Sequence, residues 1–180
     1  MPRLFFALLP QAGDRARLHA LAIAAAARGA RPLPAPDLHL TLCFLGEAPA
    51  APALALLQAM SLPPPPAVRF DSLDYWARSG VLCAIPHSAD TQGIRALASD
   101  IRTGLQAAGC AFDDKPFRAH ITLARQRAPA IARQRWPQAL AHPMTVGFDS
   151  LALLESRPGA AAGEPRYAPV GARLLAPRPP

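Results

Sequence analysis

Two short stretches decide the fold and the chemistry of this chain: "HLTLCFLG" at residues 39–46 and "HITLAR" at residues 120–125. Both begin with histidine, and threonine follows two residues later with apolar residues beside it. Successive side chains of a β-strand point to opposite faces, so residues i and i+2 share a face. Each stretch is therefore predicted to be a strand that buries one apolar face and presents an imidazole and a hydroxyl on the other.

The repetition of this pattern is informative because the chain contains only five histidines and five threonines in 180 residues. The other histidines, His19, His87 and His142, lack the threonine and lie on a predicted helix or beside prolines. Two similar halves that each bring one His-x-Thr strand to a shared cleft would explain the repetition. We therefore predict a single domain over residues 1–180, built of two similar lobes.

Periodicity and turn residues place the other elements around the two strands. Alternating or continuous apolar runs predict strands, and apolar residues at helical spacing predict helices. The predicted strands span 3–10, 38–46, 67–76, 80–86, 117–125, 144–157 and 167–176, and the predicted helices span 14–28, 48–60, 91–108 and 128–136. Strands and helices interleaved in this way predict an α+β protein, with "SLPPPP" at residues 61–66 as a stiff connector between the halves.

The composition narrows the class of protein. Hydrophobic residues make up 51% of the chain, yet no run approaches the roughly 20 apolar residues of a membrane span. We therefore expect a globular protein with no membrane segment. Cys43, Cys83 and Cys110 are widely spaced, without zinc-like spacing, which favours reduced thiols in the core of a cytoplasmic protein. The net charge of +7 is compatible with a polyanionic partner.

Three kinds of chemistry could use two imidazoles and two hydroxyls. A zinc site is disfavoured because two histidines supply half a tetrahedral shell and Cys43 is the sole nearby thiol or carboxylate on either motif face. Acyl transfer is disfavoured because no G-x-S-x-G stretch occurs. Acid–base catalysis on phosphorus fits best: one neutral imidazole acts as base and one protonated imidazole acts as acid. The hydroxyls and a nearby arginine would bind the phosphate oxygens, and a strained cyclic phosphodiester is a suitable substrate.

The residues also resemble a known family. "HLTLCFLG" and "FRAHITLAR", with "RLFFALLP" near the start and "LLESR" and "RYAPV" near the end, are similar to the two-histidine phosphoesterases. Within that superfamily they resemble the RNA 2′,3′-cyclic phosphodiesterases, also called 2′-5′ RNA ligases. The resemblance covers essentially the whole chain. It implies a bilobal α+β fold with two antiparallel sheets around a central cleft and helices on the outside.

The resemblance further implies the activity and the site. Members hydrolyse a terminal 2′,3′-cyclic phosphate of RNA to a 2′-phosphate without metal, ATP or another cofactor, and can run the reverse joining of RNA ends. Carried over by position, the roles fall on six residues: His39 as acid, His120 as base, Thr41 and Thr122 on the phosphate, and Phe44 and Arg125 on the terminal nucleotide.

Strand geometry opposes one part of this assignment. Phe44 and Arg125 each lie five residues after a motif histidine, and strict alternation sends an odd offset to the opposite face. They reach the cleft if the strand twists, bulges or ends there.

Two alternatives remain open from the sequence. The same residues would serve a phosphodiesterase for a small cyclic nucleotide or an ADP-ribose cyclic phosphate. A non-catalytic module that binds RNA ends would also retain the cleft. In each case we expect a monomer, because two lobes complete the cleft within one chain.

Overall fold

The computed structural model describes residues 1–26, 29–125, 129–159 and 165–175. The strands in these ranges are β1 (Arg3–Pro10), β2 (Arg31–Pro32), β3 (Leu40–Glu47), β4 (Ala67–Trp76), β5 (Val81–Pro86), β6 (Ile121–Arg125), β7 (Gln138–Ser156) and β8 (Tyr167–Leu174). The α-helices are α1 (Ala12–Ala26), α2 (Ala50–Ala59), α3 (Gln92–Ala107) and α4 (Pro129–Ala132). Short 3-10 turns occupy Ala35–Asp37 and Ser88–Thr91.

The predicted elements are present, but β6 begins four residues after the predicted start at 117 and α4 ends four residues before the predicted end at 136. Two further differences have physical causes. β2 lies in a proline-rich segment outside the predicted strands and helices, and it forms because Arg31 pairs with Arg125 of β6. β7 begins six residues before the predicted start, since its first residues pair with β4 around an irregular stretch that contains Pro143. The predicted ends of the first helix at 27–28 and of the last helix at 128 lie outside the described residues.

All strand pairings among the described residues are antiparallel. The order is β1-β3-β6-β5-β4-β7-β8, with β2 beside β6 and an additional pairing between β1 and β7. That additional pairing closes six of the strands into a ring. The first part of β7 pairs with β4 and its last part pairs with β1 and β8, so β7 connects these two parts of the sheet. The predicted antiparallel α+β class is confirmed. In place of the two sheets that the resemblance implied, the strands form one eight-stranded sheet, which is continuous through β7 and through the β3–β6 pair.

The helices cover the apolar side of the two motif strands. α1 packs on β6, while α3 packs on β3 and on α2. Apolar residues at helical spacing predicted α3, and five of them form its buried face, namely Ile94, Leu97, Ala98, Ile101 and Leu105. Facing the helices, Leu40, Leu42, Ile121 and Leu123 are at most 2% exposed. Each such side chain contributes about 1.5–3 kcal/mol by burial, which fixes the strands that carry the histidines.

The prediction that all three cysteines lie in the core is confirmed for two of them. Cys43 and Cys83 are buried in the core, whereas Cys110 is only partly buried. Burial raises the pKa of the Cys83 thiol to about 12, so this side chain is an inert, small hydrophobe. None of the helices in the described ranges is both long enough and apolar enough to cross a membrane.

Candidate active site

The two motif strands are antiparallel neighbours. Leu40 of β3 pairs with Ile121 of β6. Extending this register by one residue in each direction sets each motif histidine across from the threonine of the other motif, because partners in an antiparallel ladder run in opposite order. The residues of this face are His39, Thr41, His120 and Thr122, and all four line one cleft of about 610 Å³. The structure therefore brings the four predicted polar residues together.

A β-bulge in β3 explains how Phe44 reaches the same cleft. Leu42 is an extra residue between the partners of Phe6 and Ala7 of β1. Consistent with this, Leu42 and Cys43 are both buried although they are adjacent in sequence. The bulge resets the alternation of side chains, so Phe44 lies on the cleft side and is 48% exposed.

The second motif has a bulge at the equivalent place. Leu123 is an extra residue between the partners of Leu82 and Cys83 of β5, and both Leu123 and Ala124 are buried. Arg125 consequently returns to the cleft, which it lines. Each bulge comes directly after the motif threonine. The structure thus places all six predicted site residues around one space.

Both imidazoles are held in the same way by the backbone. His39 Nδ1 lies 2.7 Å from the carbonyl oxygen of Asp37, and His120 Nδ1 lies 2.7 Å from the carbonyl oxygen of Arg118. A carbonyl oxygen only accepts, so each Nδ1 carries a hydrogen and donates it. Nε2 is then the nitrogen of each ring that gains or loses a proton. The two rings are equivalent in their bonding and present Nε2 for chemistry.

Different aromatic side chains pack against the imidazole rings of His39 and His120. His39 lies between Phe5, with 5.0 Å between ring centroids, and Tyr167, whose ring meets it edge-on at 4.8 Å. His120 packs against Trp76 with centroids 4.5 Å apart. These contacts restrict ring rotation, and they exclude water from part of each imidazole surface.

Burial is the main influence on the titration of both rings. Together with the positive charges of His120 and Arg125, burial lowers the pKa of His39 to about 4. Burial also lowers the pKa of His120, as do the charges of Arg118 and Arg125. The bond from each Nδ1–H to its carbonyl acts in the opposite direction in both cases. Both rings are therefore neutral near pH 7 in the protein alone, and an anion between them would raise both pKa values.

The charge of the cleft favours such an anion. Arg3, Arg125 and Arg166 line it, with Asp113 as the acidic residue of its wall. Nε of Arg125 is buried and has no hydrogen-bond partner among the described residues. The Arg125 side chain as a whole is only half-buried and lines the cleft, so its guanidinium is suited to contact a phosphate oxygen bound there.

Asp37 is a positioning residue that the sequence reasoning missed. Its side chain is fully buried, and its carboxylate accepts the backbone N–H of Arg166 at 3.0 Å. Burial raises the pKa of this carboxyl, while the backbone bonds from Arg166 and Tyr167 lower it. Through its own carbonyl Asp37 also holds His39. The sequence signal was an aspartate two residues before the motif histidine, in "PDLHL".

The described residues contain no group of three or more His, Cys, Asp or Glu that could hold a metal ion. The cleft instead offers two imidazoles, two hydroxyls and three guanidinium groups. This set is suited to binding a phosphate and to moving protons on either side of it.

Comparison with known proteins gives consistent matches. Residues 10–160 match the model of the 2′-5′ RNA ligase superfamily. An RNA 2′,3′-cyclic phosphodiesterase of Thermus thermophilus is 36% identical over 139 residues, which cover 71% of this chain and 70% of that protein. An RNA 2′,3′-cyclic phosphodiesterase of Escherichia coli is 35% identical over 132 residues, covering 72% of this chain and 74% of the relative.

Solved structures match over a larger share. E. coli LigT complexed with 3′-AMP superimposes with a TM-score of 0.74 and 31% identity, covering 97% of this chain and 98% of LigT. LigT complexed with ATP gives a TM-score of 0.73 at 28% identity over the same shares. The fold that carries the two motif strands is thus shared along nearly the whole chain.

Proposed function

The chain belongs to the 2′-5′ RNA ligase superfamily, and from this membership and the geometry of its cleft we propose that it is an RNA 2′,3′-cyclic phosphodiesterase. The observation that carries the proposal is the convergence of two His–Thr pairs, from antiparallel strands, on one cationic cleft. The enzyme hydrolyses a terminal 2′,3′-cyclic phosphate to a 2′-phosphate. Its own side chains perform the reaction without a metal or another cofactor.

The phosphate is bound by neutral and charged donors. The hydroxyls of Thr41 and Thr122 donate to its non-bridging oxygens, and the guanidinium of Arg125, which lines the cleft, donates to them as well. These donors gain strength as negative charge accumulates on the oxygens in the transition state. The same bound anion raises the pKa of both imidazoles, which makes the singly protonated pair accessible near neutral pH.

The two histidines act on opposite sides of phosphorus. His120 Nε2 removes a proton from water as the water oxygen bonds to phosphorus. His39 Nε2 donates a proton to the 3′ oxygen as its bond to phosphorus breaks. The product is a 2′-phosphate with a free 3′-hydroxyl. With a 5′-hydroxyl of RNA in place of water, the same proton transfers form a 2′-5′ linkage.

The terminal nucleotide occupies the His39 side of the cleft. Phe44 and Tyr167 provide aromatic surface there, and Phe5 lies behind His39. Phe44 is exposed enough to contact a nucleobase, and Arg166 lies near its phosphate or ribose edge. The LigT complex with 3′-AMP supports placing a mononucleotide in this space.

A second candidate is a phosphodiesterase for a small cyclic nucleotide or an ADP-ribose cyclic phosphate. The LigT complex with ATP favours a cleft that accepts free nucleotides. The two candidates share His39 and His120, and they differ in whether further nucleotides improve kcat/KM.

The decisive assay offers an RNA oligonucleotide with a 2′,3′-cyclic phosphate end, 2′,3′-cyclic AMP and ADP-ribose cyclic phosphate to the protein in EDTA. We expect turnover to 2′-phosphates, with the highest kcat/KM for the RNA end. His39→Ala and His120→Ala should each lower kcat by about a hundredfold or more while RNA binding persists. His142→Ala is the matched control, because His142 is exposed and lies outside the cleft.

Each outcome has a distinct meaning. Full activity in both cleft variants would refute the assigned site. Binding of RNA ends without turnover of any substrate would identify a non-catalytic RNA-end-binding module. Preference for ADP-ribose cyclic phosphate would favour the second candidate.

We also propose that the chain acts as one domain, as a monomer, in the cytoplasm. All the cleft residues come from this chain, and its three cysteines are free thiols. Light scattering coupled to size-exclusion chromatography should give the mass of one 19.0 kDa chain.

A further inference from the structure

A second, smaller cavity of about 210 Å³ adjoins the cleft and is called the side cavity below. It shares Thr41, Phe44, Asp113 and His120 with the cleft. His39 lines the cleft but not the side cavity. The two spaces therefore meet at the reacting centre, and the side cavity opens on the His120 side of it.

The lining of the side cavity combines aromatic rings with positive charges. Trp76 and Phe117 supply the rings, and Arg102, Lys115 and Arg118 supply the charges. This combination is typical of surfaces that bind single-stranded nucleic acid, where rings stack on bases and cations contact phosphates. Trp76 and Arg118 also influence His120, but none of these five side chains contacts the phosphate in the mechanism proposed for hydrolysis.

The aromatic wall is held in place before any ligand binds. Trp76 Nε1 donates to the carboxylate of Asp74 at 2.8 Å. The guanidinium of Arg118 lies 4.8 Å from the centre of the indole ring. Arg102 Nη2 donates to the carbonyl of Lys115 at 2.6 Å, which fixes the loop that carries this lysine. A preorganised wall lowers the entropic cost of binding a flexible strand.

The position of the side cavity defines which part of a reaction it could serve. In an in-line displacement at phosphorus the attacking and leaving oxygens lie on opposite sides. His39 protonates the leaving 3′ oxygen, so the ribose of the cyclic phosphate lies on the His39 side. The attacking group lies beside His120, next to the side cavity. Water needs no binding site there, whereas a larger nucleophile does.

We propose that the side cavity is the binding site for a polynucleotide with a 5′-hydroxyl end, which attacks the cyclic phosphate in place of water. The inference rests on the proposed function and on the assignment of His120 as base. The 5′ oxygen bonds to phosphorus, its proton passes to His120 Nε2, the bond from phosphorus to the 3′ oxygen breaks, and His39 protonates that oxygen. The product is a 2′-5′ phosphodiester with a free 3′-hydroxyl.

Lys115→Ala tests the site because Lys115 lines the side cavity, is 81% exposed and takes no part in hydrolysis. Arg69→Ala is the matched control, since Arg69 is exposed and lines neither cavity. RNA with a 2′,3′-cyclic phosphate end is incubated with rising concentrations of a 5′-hydroxyl trinucleotide. The ratio of ligated to hydrolysed product should fall about fivefold to tenfold in Lys115→Ala, as expected for one lost phosphate contact. Hydrolysis of 2′,3′-cyclic AMP should stay within twofold.

A second measurement does not depend on ligation. A 5′-phosphorylated trinucleotide with a 3′-terminal deoxyribose cannot react, but it should occupy the side cavity and lower kcat for hydrolysis of 2′,3′-cyclic AMP. Lys115→Ala should weaken this inhibition by a similar factor, and Arg69→Ala should leave it unchanged.

Different results would contradict the side-cavity proposal and the proposed function. Wild-type protein that hydrolyses the cyclic phosphate but neither ligates nor is inhibited by the trinucleotide would overturn the side-cavity proposal and leave the proposed function standing. An unchanged product ratio and unchanged inhibition in Lys115→Ala would also overturn it. Absence of hydrolysis in the wild type would overturn the proposed function itself.

Discussion

Leu40 and Ile121 are paired across β3 and β6, and each directly follows a histidine whose Nδ1–H is bonded to the carbonyl two residues before it. This pairing relates the two motifs by an approximate twofold axis between the strands. Because both imidazoles make the same hydrogen bond, they differ only in the side chains packed around them. Phe5 and Tyr167 pack against His39, and Trp76 packs against His120. The difference between acid and base therefore arises from what lies around each imidazole.

The pH–rate profile of the enzyme should be bell-shaped. Catalysis needs one protonated and one neutral imidazole. Burial lowers the pKa of both rings, that of His39 to about 4, so kcat/KM, which reports the free enzyme, should be highest below about pH 6.5. The bound phosphate raises both pKa values, so the maximum of kcat should lie at higher pH. Rates measured from pH 4 to 9 test this, and a flat profile between about pH 5 and 8 would contradict it.

Removal of a motif hydroxyl should weaken phosphate binding without altering the imidazoles. Thr41→Val and Thr122→Val keep the shape of the side chain and lose the donor. Each should lower kcat/KM by about tenfold to a hundredfold, while the pH at the maximum stays the same. Thr103→Val is the control, because Thr103 is exposed on α3. A loss no greater than that of the control would show that the hydroxyls do not contact the substrate.

Asp37 should affect nucleotide binding more than proton transfer. Asp37→Ala leaves the buried N–H of Arg166 without its acceptor, which costs about 1–3 kcal/mol of stability and releases the segment that carries Tyr167. KM should rise, with a smaller change in kcat. Asp37→Asn keeps a carbonyl acceptor and should restore most of both parameters. Asp100→Ala, on the exposed face of α3, should change neither, and equal effects of the two Asp37 variants would contradict the role.

The protein should lose stability in mild acid because of His39. Its pKa is lower in the folded protein, about 4, than the value near 6.5 expected when unfolded. Between these values the unfolded chain binds more protons, so stability is complete above pH 6.5 and falls towards pH 4. The full effect is on the order of 3 kcal/mol.

Urea unfolding at pH 7 and pH 4.5 measures this loss. His39→Gln should lose about 2 kcal/mol less than the wild type between the two pH values. His120, whose pKa is also lowered, and Asp37, whose pKa is raised, are present in both proteins and largely cancel in the comparison. Equal losses would contradict the contribution of His39.

The sequence predicted the strands, the histidines and the threonines because each depends on a local two-residue period. It could not place Phe44 and Arg125, since the bulges at Leu42 and Leu123 arise from pairing with β1 and β5, which lie far away in the chain. For the same reason β2 was missed. Two residues in a proline-rich segment carry no strand signal and acquire their conformation from β6.

The role of Asp37 could not be predicted from the sequence for a different reason. An aspartate before a strand is usually a turn residue or a solvated charge, and its burial becomes apparent only when the segment at Arg166 is placed over it. Contacts between residues so far apart in the chain leave no periodic pattern. The parts of the site that depend on such contacts therefore required the structure.

The pairing of Arg3 with Ser156 has a consequence for synthesis on the ribosome. β1 leaves the exit tunnel long before its neighbour β7, because β2 to β6 and α1 to α4 lie between them in the chain. Contacts between such distant segments slow folding and leave apolar surface uncovered meanwhile. A nascent chain that stops before β7 would have both histidines and no finished scaffold to hold them, so competence to process RNA would begin only once β7 has emerged.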